Sequence, residues 1–168
     1  MVGIVVVAHS STLAESVIEL AKQMLREEVP LAAAGGIDDP AHPFGTDPLQ
    51  IVSAIQSIYS EDGVLVLMDI GSAIMSAEMA LDFLPQEKRS SVRLCEAPLI
   101  EGTIAAAVQS EAGGTLDQVV KEELAQALVM PGVPHQERGL GQVGVGVPDV
   151  LGESHHLEIG VLAGIGPD

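Results

Sequence analysis

The sequence predicts an α/β domain with an open, mainly parallel sheet of four or slightly more strands and helices on both faces. Short apolar runs alternate with segments of helical periodicity, which is the pattern of parallel strands joined by crossover helices. The first run, Ile4–Val7, is apolar and β-branched throughout, as a central strand buried on both faces is. The 168 residues are enough for one domain with a proper core.

A helix is predicted directly after the first strand. Thr12 and Glu15 match a capping box, in which two side chains satisfy free backbone N–H groups at a helix start. The apolar residues beyond it recur at helical spacing and are Leu13, Val17, Leu20, Ala21, Met24 and Leu25. The spacing predicts an amphipathic helix with one face on the sheet.

The second strand and the second helix are separated by an irregular loop. A short strand over 31–34 ends at Gly35-Gly36. The loop "GIDDPAHPFGTD" contains too much proline and glycine for regular structure. Asp47 is then placed to cap a helix that has Pro48 at its first position and Gln50 at its third.

The remaining strands and helices follow the same alternation. Residues 64–68 form a second fully apolar run, which ends at Asp69 and is followed by "IGSA" and a helix to about Leu84. A fourth strand over 92–95 leads through "EAPLIEG" into an alanine-rich helix. Thr115 and Gln118 open a last amphipathic helix, predicted to end near Leu128.

The chain changes character after residue 128. Nine of its 18 glycines and four of its ten prolines lie in 129–168, where no helix or repeat is recognisable. The prediction is therefore a domain over 1–128 and a Gly/Pro-rich tail or linker over 129–168. "GLGQVG" at 139–144 fits a dinucleotide-binding pattern, but it follows no strand and opens no helix, and it is interpreted as a chance match.

Charge and composition exclude several classes of protein. A formal net charge of -17 repels phosphate backbones and anionic lipid surfaces, so no nucleic-acid partner is expected. No apolar stretch reaches the length of a membrane span, and no basic segment precedes the first apolar run. Cys95 is the single cysteine, which fits a reducing compartment. These features predict a cytoplasmic protein without membrane insertion.

Two polar side chains follow two different apolar strands. His9 comes after the first and Asp69 after the other, and the carboxyl ends of parallel strands meet at one edge of the sheet. A carboxylate that accepts from one imidazole nitrogen leaves the other nitrogen free as a nucleophile. Free N–H groups at the start of the following helix suit an anion, and Ser10, Ser11, Gly71 and Ser72 are candidate donors. A structural histidine bonded to a loop carbonyl is the alternative.

Other candidate groups receive simpler interpretations. Asp38-Asp39 suggests a magnesium site or a receiver domain, but a receiver carries its acidic pair after the first strand, where this chain has His9. His42 and the pair His155-His156 are interpreted as surface residues, and no metal site is predicted. Met68, Met75 and Met79 are interpreted as core residues.

Four collinear segments within 1–128 carry a resemblance to a known family. They are "VVVAHSSTLAESVIELAKQM", "GGIDDPAHPFGTD", "VLVLMDIGSA" and "VRLCEAPLIEGTIAAAV". Together they resemble the phosphotransferase subunit of the phosphoenolpyruvate-dependent dihydroxyacetone kinase, which is related to the mannose-type IIA domains of the sugar phosphotransferase system. The resemblance implies a mannose-type IIA-like fold.

The resemblance also implies roles for individual residues. His9, in "AHS", would be the transient phosphohistidine, and Asp69, in "MDIGSA", would orient its imidazole. The family's glycine-rich loop corresponds to Gly35, Gly36, Asp38, Asp39, Gly45 and Thr46, which would line the site. Some members continue into a phosphocarrier domain marked by His-Ala-Arg-Pro, and no such motif occurs here, so a second carrier site is not expected.

The resemblance implies a function and partners. His9 would accept a phosphoryl group from a histidine-containing phosphocarrier protein and pass it to the ADP-bearing subunit of dihydroxyacetone kinase. ADP and ATP are expected on that partner, because this chain has no P-loop. A homodimer is implied, for which the helix face of Ile104, Ala107 and Val108 is a candidate.

Three alternatives to this function stay open at the level of the sequence. The chain could be the IIA domain of a mannose-type sugar transporter, which would use the same histidine chemistry. It could be a metal-assisted hydrolase that uses His9, Asp38 and Asp69, or a non-catalytic module that senses anions at the helix start.

Overall fold

A computed structural model describes residues 1–39 and 41–121 of the chain. The strands are β1 (Gly3–Ala8), β2 (Leu31–Gly35), β3 (Val64–Met68) and β4 (Val92–Cys95). The helices are α1 (Ser11–Lys22), α2 (Pro48–Ile58), α3 (Ser72–Phe83), α4 (Gln86–Arg89) and α5 (Leu99–Glu111), and residues 116–121 are helical up to the last described position.

The four strands form one parallel sheet in the order β2-β1-β3-β4. Ile4 pairs with Leu31 of β2 and with Leu65 of β3, so β1 is hydrogen-bonded on both sides. Every residue of β1 and β3 is buried, because helices cover both faces of these central strands. The predicted α/β fold with a mainly parallel sheet is confirmed.

The helices divide between the two faces of the sheet. Val5 and Val7 point to the face covered by α2 and α3, where Ile51 and Ile55 are fully buried. The intervening residues of β1 point to the other face, which α1 and α5 cover. The alternation of side chains along a strand explains why a wholly apolar run is needed here, since each face has its own core.

Most predicted element boundaries agree with the structure, and one cap does not. The bounds predicted for β3 and β4 are those observed, and Asp47 caps α2 by accepting from the Leu49 N–H. Thr115 and Gln118 exchange the two hydrogen bonds of a capping box. The capping box predicted at Thr12 is wrong, because α1 begins at Ser11 and its N-cap is Ser10, two residues before Thr12.

Burial corrects two further predictions. Met68 is buried, but Met75 and Met79 lie on the solvent side of α3, where 68% and 51% of their surface is exposed. The dimer face suggested on α5 is wrong in part, since Ala107 is fully buried and Ile104 packs on the core of its own chain. The short helix α4 has no counterpart in the prediction.

The carboxylate of Glu111 ties the end of α5 to the segment between α1 and β2. It accepts from the backbone N–H groups of Arg26 and Glu27 at 2.5 and 2.6 Å. The N–H of Glu27, and then that of Arg26, lower the pKa of Glu111 below its ordinary value of 4.5, because both bonds favour the charged carboxylate.

No helix within 1–39 and 41–121 is long and apolar enough to cross a membrane. The predicted domain boundary near 128, the end of the last helix, the tail with "GLGQVG" and the pair His155-His156 lie outside the described residues, and they stay predictions.

Candidate functional site

The site lies where the order of the strands reverses direction. From β1 the chain crosses through α1 to β2 on one side, and β3 then lies on the other side of β1. The helices α1 and α3 therefore leave the same edge of the sheet on opposite faces, the arrangement that in open parallel sheets forms a crevice beyond the carboxyl ends of the strands, here β1 and β3. His9 follows β1 and Asp69 follows β3 at this crevice.

Asp69 holds both the ring and the backbone of His9. Its Oδ1 and Oδ2 lie 2.9 and 3.0 Å from Nδ1 of the imidazole, and its Oδ2 accepts from the His9 backbone N–H at 2.8 Å. Oδ1 also accepts from the N–H of Ile70 at 2.7 Å. These two backbone donors restrain the carboxylate in its orientation toward the ring.

The contacts of His9 define its tautomer. A carboxylate only accepts hydrogen bonds, so Nδ1 carries a proton, and in the neutral imidazole Nε2 then carries the lone pair. Ser72, the first residue of α3, places its Oγ 2.5 Å from Nε2, and its hydroxyl donates to that lone pair. About a quarter of the His9 side chain is exposed, so Nε2 is within reach of a second molecule.

A loop formed by residues 36–39 and 41–47 contacts the backbone of His9. The Gly45 N–H donates to the His9 carbonyl at 2.8 Å, and the Ile37 N–H donates to the carbonyl of Pro43 at 3.2 Å. Thr46 Oγ1 lies 2.7 Å from Oγ of Ser76, one turn beyond Ser72 on α3. The loop is thus joined both to the end of β1 and to the helix that carries Ser72.

Two glycines allow this loop to approach the end of β1. A Cβ on Gly35 would lie 2.5 Å from the carbonyl oxygen of Ala8, closer than any side chain can come. Gly36 has a φ of 71°, a left-handed conformation that disfavours other residues, and a Cβ there would lie 3.0 Å from the carbonyl oxygen of Pro43.

The helix starts provide free donors at the same edge. Ser10 caps α1 by accepting from the Leu13 N–H at 3.3 Å, and Ser11 is the first residue of that helix. Gly71 is the N-cap residue of α3, and a Cβ added there would meet no described atom within 4 Å, so the approach to Ser72 is open. The first N–H groups of a helix have no partners within it and suit an anion.

The structure brings together most of the predicted site residues, but not all of them. His9, Asp69 and Ser72 are in direct contact, and Gly36 and Thr46 belong to the loop around them. The acidic pair of the loop and His42 are exposed, and His42 Nδ1 lies 3.4 Å from Asp39. Among the residues that the structure describes, no three His, Cys, Asp or Glu side chains cluster closely enough for a metal ion.

Ser76 is a residue of this edge that sequence reasoning missed. Its hydroxyl bonds Thr46 and so joins the loop to α3. A signal was present, because Ser76 comes four residues after Ser72 in a predicted helix, and residues at that spacing share one face.

The chain is similar to known proteins over most of its length. Residues 3–120 match the family model described as the PTS system fructose IIA component, EIIA-man. The PEP-dependent dihydroxyacetone kinase, phosphoryl donor subunit DhaM, of Klebsiella michiganensis is 50% identical over 140 residues, which are 81% of this chain and 30% of that protein. The chain thus spans less than a third of that relative's length.

Two further relatives are of similar length to the described region. The phosphoryl donor subunit DhaM of PEP-dependent dihydroxyacetone kinase 2 from Listeria innocua is 34% identical over 122 residues, 73% of this chain and 96% of that protein. The crystal structure of EF1359, a protein of unknown function, superimposes with a TM-score of 0.66 at 31% identity, covering 74% of this chain and 95% of that one.

Proposed function

The chain belongs to the EIIA-man family, as its four motifs predicted, and from this premise we propose that it is a phosphohistidine carrier of a dihydroxyacetone kinase. His9 would take a phosphoryl group from a histidine-containing phosphocarrier protein and give it to the ADP-bearing kinase subunit. The observation that carries the proposal is the imidazole held at Nδ1 by Asp69 with its Nε2 beside the exposed hydroxyl of Ser72.

The first transfer needs no net movement of a proton at His9. The Nε2 lone pair attacks phosphorus and forms the new P–N bond, while the old P–N bond breaks and its electron pair returns to the imidazole of the donor. Nδ1 keeps its proton, and the positive charge that develops on the ring lies 2.9 Å from the Asp69 carboxylate. The second transfer runs the same steps with an oxygen of ADP as the attacking group.

Ser72 has a role before and after the phosphoryl transfer. Its hydroxyl bonds the Nε2 lone pair before transfer and has to turn away as phosphorus approaches. It then lies beside the phosphoryl oxygens and can donate to one of them. The N–H groups at the start of α1 add further donors, because they lack partners within the helix.

The names of the relatives support the choice of acceptor. Relatives from Klebsiella michiganensis and Listeria innocua are phosphoryl donor subunits of PEP-dependent dihydroxyacetone kinases, which favours that kinase over a sugar transporter. The hydrolase that used Asp38 is less well supported, since Asp38 is exposed and belongs to no cluster of three ligands in the described residues. We propose that ADP belongs to the partner, that the carrier works in the cytoplasm, and that it acts as a homodimer.

Intact mass after incubation with phosphoenolpyruvate and the upstream phosphotransferase proteins tests the proposal. The wild type should gain one acid-labile phosphoryl group, and His9→Gln should gain none while it keeps its fold. Adding the ADP-bearing kinase subunit should discharge the carrier, whereas a sugar-transporter component should not. Stable label on another residue in the His9→Gln variant would show that the site is wrong.

A further inference from the structure

Ser76 holds its hydroxyl against the loop that contacts the backbone of His9, although it has no part in the chemistry described so far. Its Oγ lies 2.7 Å from Oγ1 of Thr46, and a longer contact of 3.5 Å joins the same Oγ to the Thr46 carbonyl oxygen. A hydroxyl has one proton, so both contacts are satisfied when Thr46 donates to Ser76 and Ser76 donates to the carbonyl. Both side chains are half-buried, so water is partly kept from the pair.

Thr46 lies between two residues that are themselves anchored. The N–H of Gly45 donates to the His9 carbonyl at 2.8 Å. Asp47 caps α2 by accepting from a backbone N–H of its first turn at 2.9 Å. The backbone on both sides of Thr46 is therefore fixed, and the position of its hydroxyl is tied to that of the His9 backbone.

The start of α3, in contrast, has few bonds of its own. Gly71 is its N-cap and supplies no side chain to cap it. The N–H groups of Ala73 and Ile74 donate to carbonyls three residues back, at 2.8 and 3.1 Å, which is the tighter 3₁₀ pattern of a helix end. Ser72 lies in this first turn and is exposed. The turn that follows is held from two sides, by alanines packed on the sheet and by Ser76 bonded to the loop.

The bond between Ser76 and Thr46 completes a closed path of contacts around His9. One branch leads from the imidazole Nε2 to Ser72, 2.5 Å away, and along one turn of α3 to Ser76. The other branch leads from the His9 carbonyl through the Gly45 N–H to Thr46. The imidazole and the backbone of His9 are thereby held in a fixed relation, and loss of the bond frees the branch that carries the Ser72 hydroxyl.

We propose that Ser76 is a positioning residue for phosphoryl transfer at His9, and that it acts by holding the Ser72 hydroxyl at Nε2. The inference rests on the proposed function and adds to it a residue that acts through another. With the bond to Thr46 in place, Ser72 stands where it donates to Nε2 before transfer and to a phosphoryl oxygen afterwards. Without that bond the start of α3 shifts, and the donor no longer matches the charge on the oxygens in the transition state.

Rapid-quench transfer from the charged phosphocarrier protein at a series of concentrations tests this role. Ser76→Ala should lower the rate at saturation about tenfold, because a small displacement of a group at the reacting atoms is costly. The concentration that gives half the maximal rate should change by less than about twofold, since binding of the partner is not what the bond affects. Ser76→Thr keeps a hydroxyl and should restore most of the rate. Thr46→Val removes the same bond from the loop and leaves α3 intact, so it should reproduce the loss.

A second set of variants separates positioning from a merely structural role. If Ser76 acts through Ser72, then Ser76→Ala should cost much less in a Ser72→Ala protein, where no hydroxyl is left to position. The matched control is Ser57→Ala. It removes a helical serine hydroxyl that bonds the Ala54 carbonyl of its own helix at 2.7 Å, and it should leave transfer at the wild-type rate.

The nitrogen resonance of His9 Nε2, measured by NMR without any phosphoryl donor, reports on the same contact. A hydroxyl that donates to the lone pair changes this resonance. Ser76→Ala should therefore move it toward its value in Ser72→Ala, whereas Ser76→Thr and Ser57→Ala should leave it at the wild-type value.

Three results would overturn the inference while the proposed function stands. They are a wild-type rate and Nε2 resonance in folded Ser76→Ala and Thr46→Val, a loss that is equally large in the Ser72→Ala protein, and a loss in Ser57→Ala as large as in Ser76→Ala. A wild type that stays uncharged with the phosphotransferase proteins would overturn the proposed function instead. A moved Nε2 resonance in Ser76→Ala would then still show that Ser76 positions Ser72, and an unmoved one would show that it does not.

Discussion

At the scale of the residue, the pairing of His9 with Asp69 has two separable effects. The carboxylate positions the ring by holding Nδ1, and it compensates the charge that the ring gains when phosphorus bonds to Nε2. Its own position is set by the N–H groups of His9 and Ile70. An asparagine at position 69 has the same shape, so it would keep part of the positioning of the ring but lose the compensation of its charge.

Asp69→Asn should therefore slow the charging of His9 far more than it lowers stability. The amide can present its NH₂ to Nδ1 and so favour the tautomer with the proton on Nε2, which removes the lone pair. The corresponding change in a Ser-His-Asp triad costs on the order of 10⁴ in rate, and we expect about 10- to 10³-fold here, where the histidine acts as a nucleophile and has no proton to transfer. Rapid-quench transfer from the phosphocarrier protein gives both rates. Equal rates in equally folded proteins would remove Asp69 from the mechanism.

At the scale of the element, the approach of β2 to the end of β1 depends on Gly35. Gly35→Ala would place a methyl group against the carbonyl oxygen of Ala8, and both groups belong to paired backbone that cannot easily shift. We expect a loss of about 1–3 kcal/mol in the free energy of unfolding, the usual cost of overpacking. Urea denaturation measures it. A change below about 0.5 kcal/mol, within the range of neutral surface substitutions, would show that the strands separate at no cost.

The link between α5 and the segment after α1 should give a pH-dependent contribution to stability. The pKa of Glu111 is lowered in the folded protein, so its contribution is present above the carboxyl's ordinary value of 4.5 and is lost as pH falls through the lower, folded value. Glu111→Gln should destabilise the protein near pH 7, and its difference from the wild type should shrink as pH falls below 4.5.

Unfolding by urea at a series of pH values, in parallel for the two proteins, measures this difference. A constant gap between wild type and Glu111→Gln across the acid range would show that the carboxylate charge contributes nothing. Glu101→Gln is a suitable control, because Glu101 is an exposed residue of the same helix.

The elements differ in how far the sequence predicted them. The central strands were predictable because burial on both faces requires unbroken apolar runs, and His9 and Asp69 were predictable because they end two of those runs. The buried face of α3 was not predictable, since the methionines Met75 and Met79 face solvent while the small residues Ala73, Ala77 and Ala80 face the core. The spacing of apolar residues predicts that α3 is a helix with apolar rows. It does not predict that the row of alanines, rather than the row of methionines, packs on the sheet. The contact of Thr46 with Ser76 depends on the path of a loop, which no periodic pattern specifies.

At the scale of the whole molecule, the site is built from the first half of the chain. Within the described residues, the hydrogen bonds of His9 and of the loop around it come from residues between Ala8 and Ser76. Removing 129–168 should therefore leave charging of His9 at the wild-type rate. Intact mass of the shortened chain after incubation with the phosphotransferase proteins is the measurement. A folded 1–128 fragment that stays uncharged would show that the tail contributes to transfer.

Several lysines and arginines of the described residues lie away from His9, since Lys22 ends α1, Lys88 and Arg89 belong to α4, and Arg93 is near the start of β4. The negative charge of a phosphoryl group on His9 would therefore be met by backbone N–H groups at the helix starts and by the Ser72 hydroxyl, and not by any of these cations.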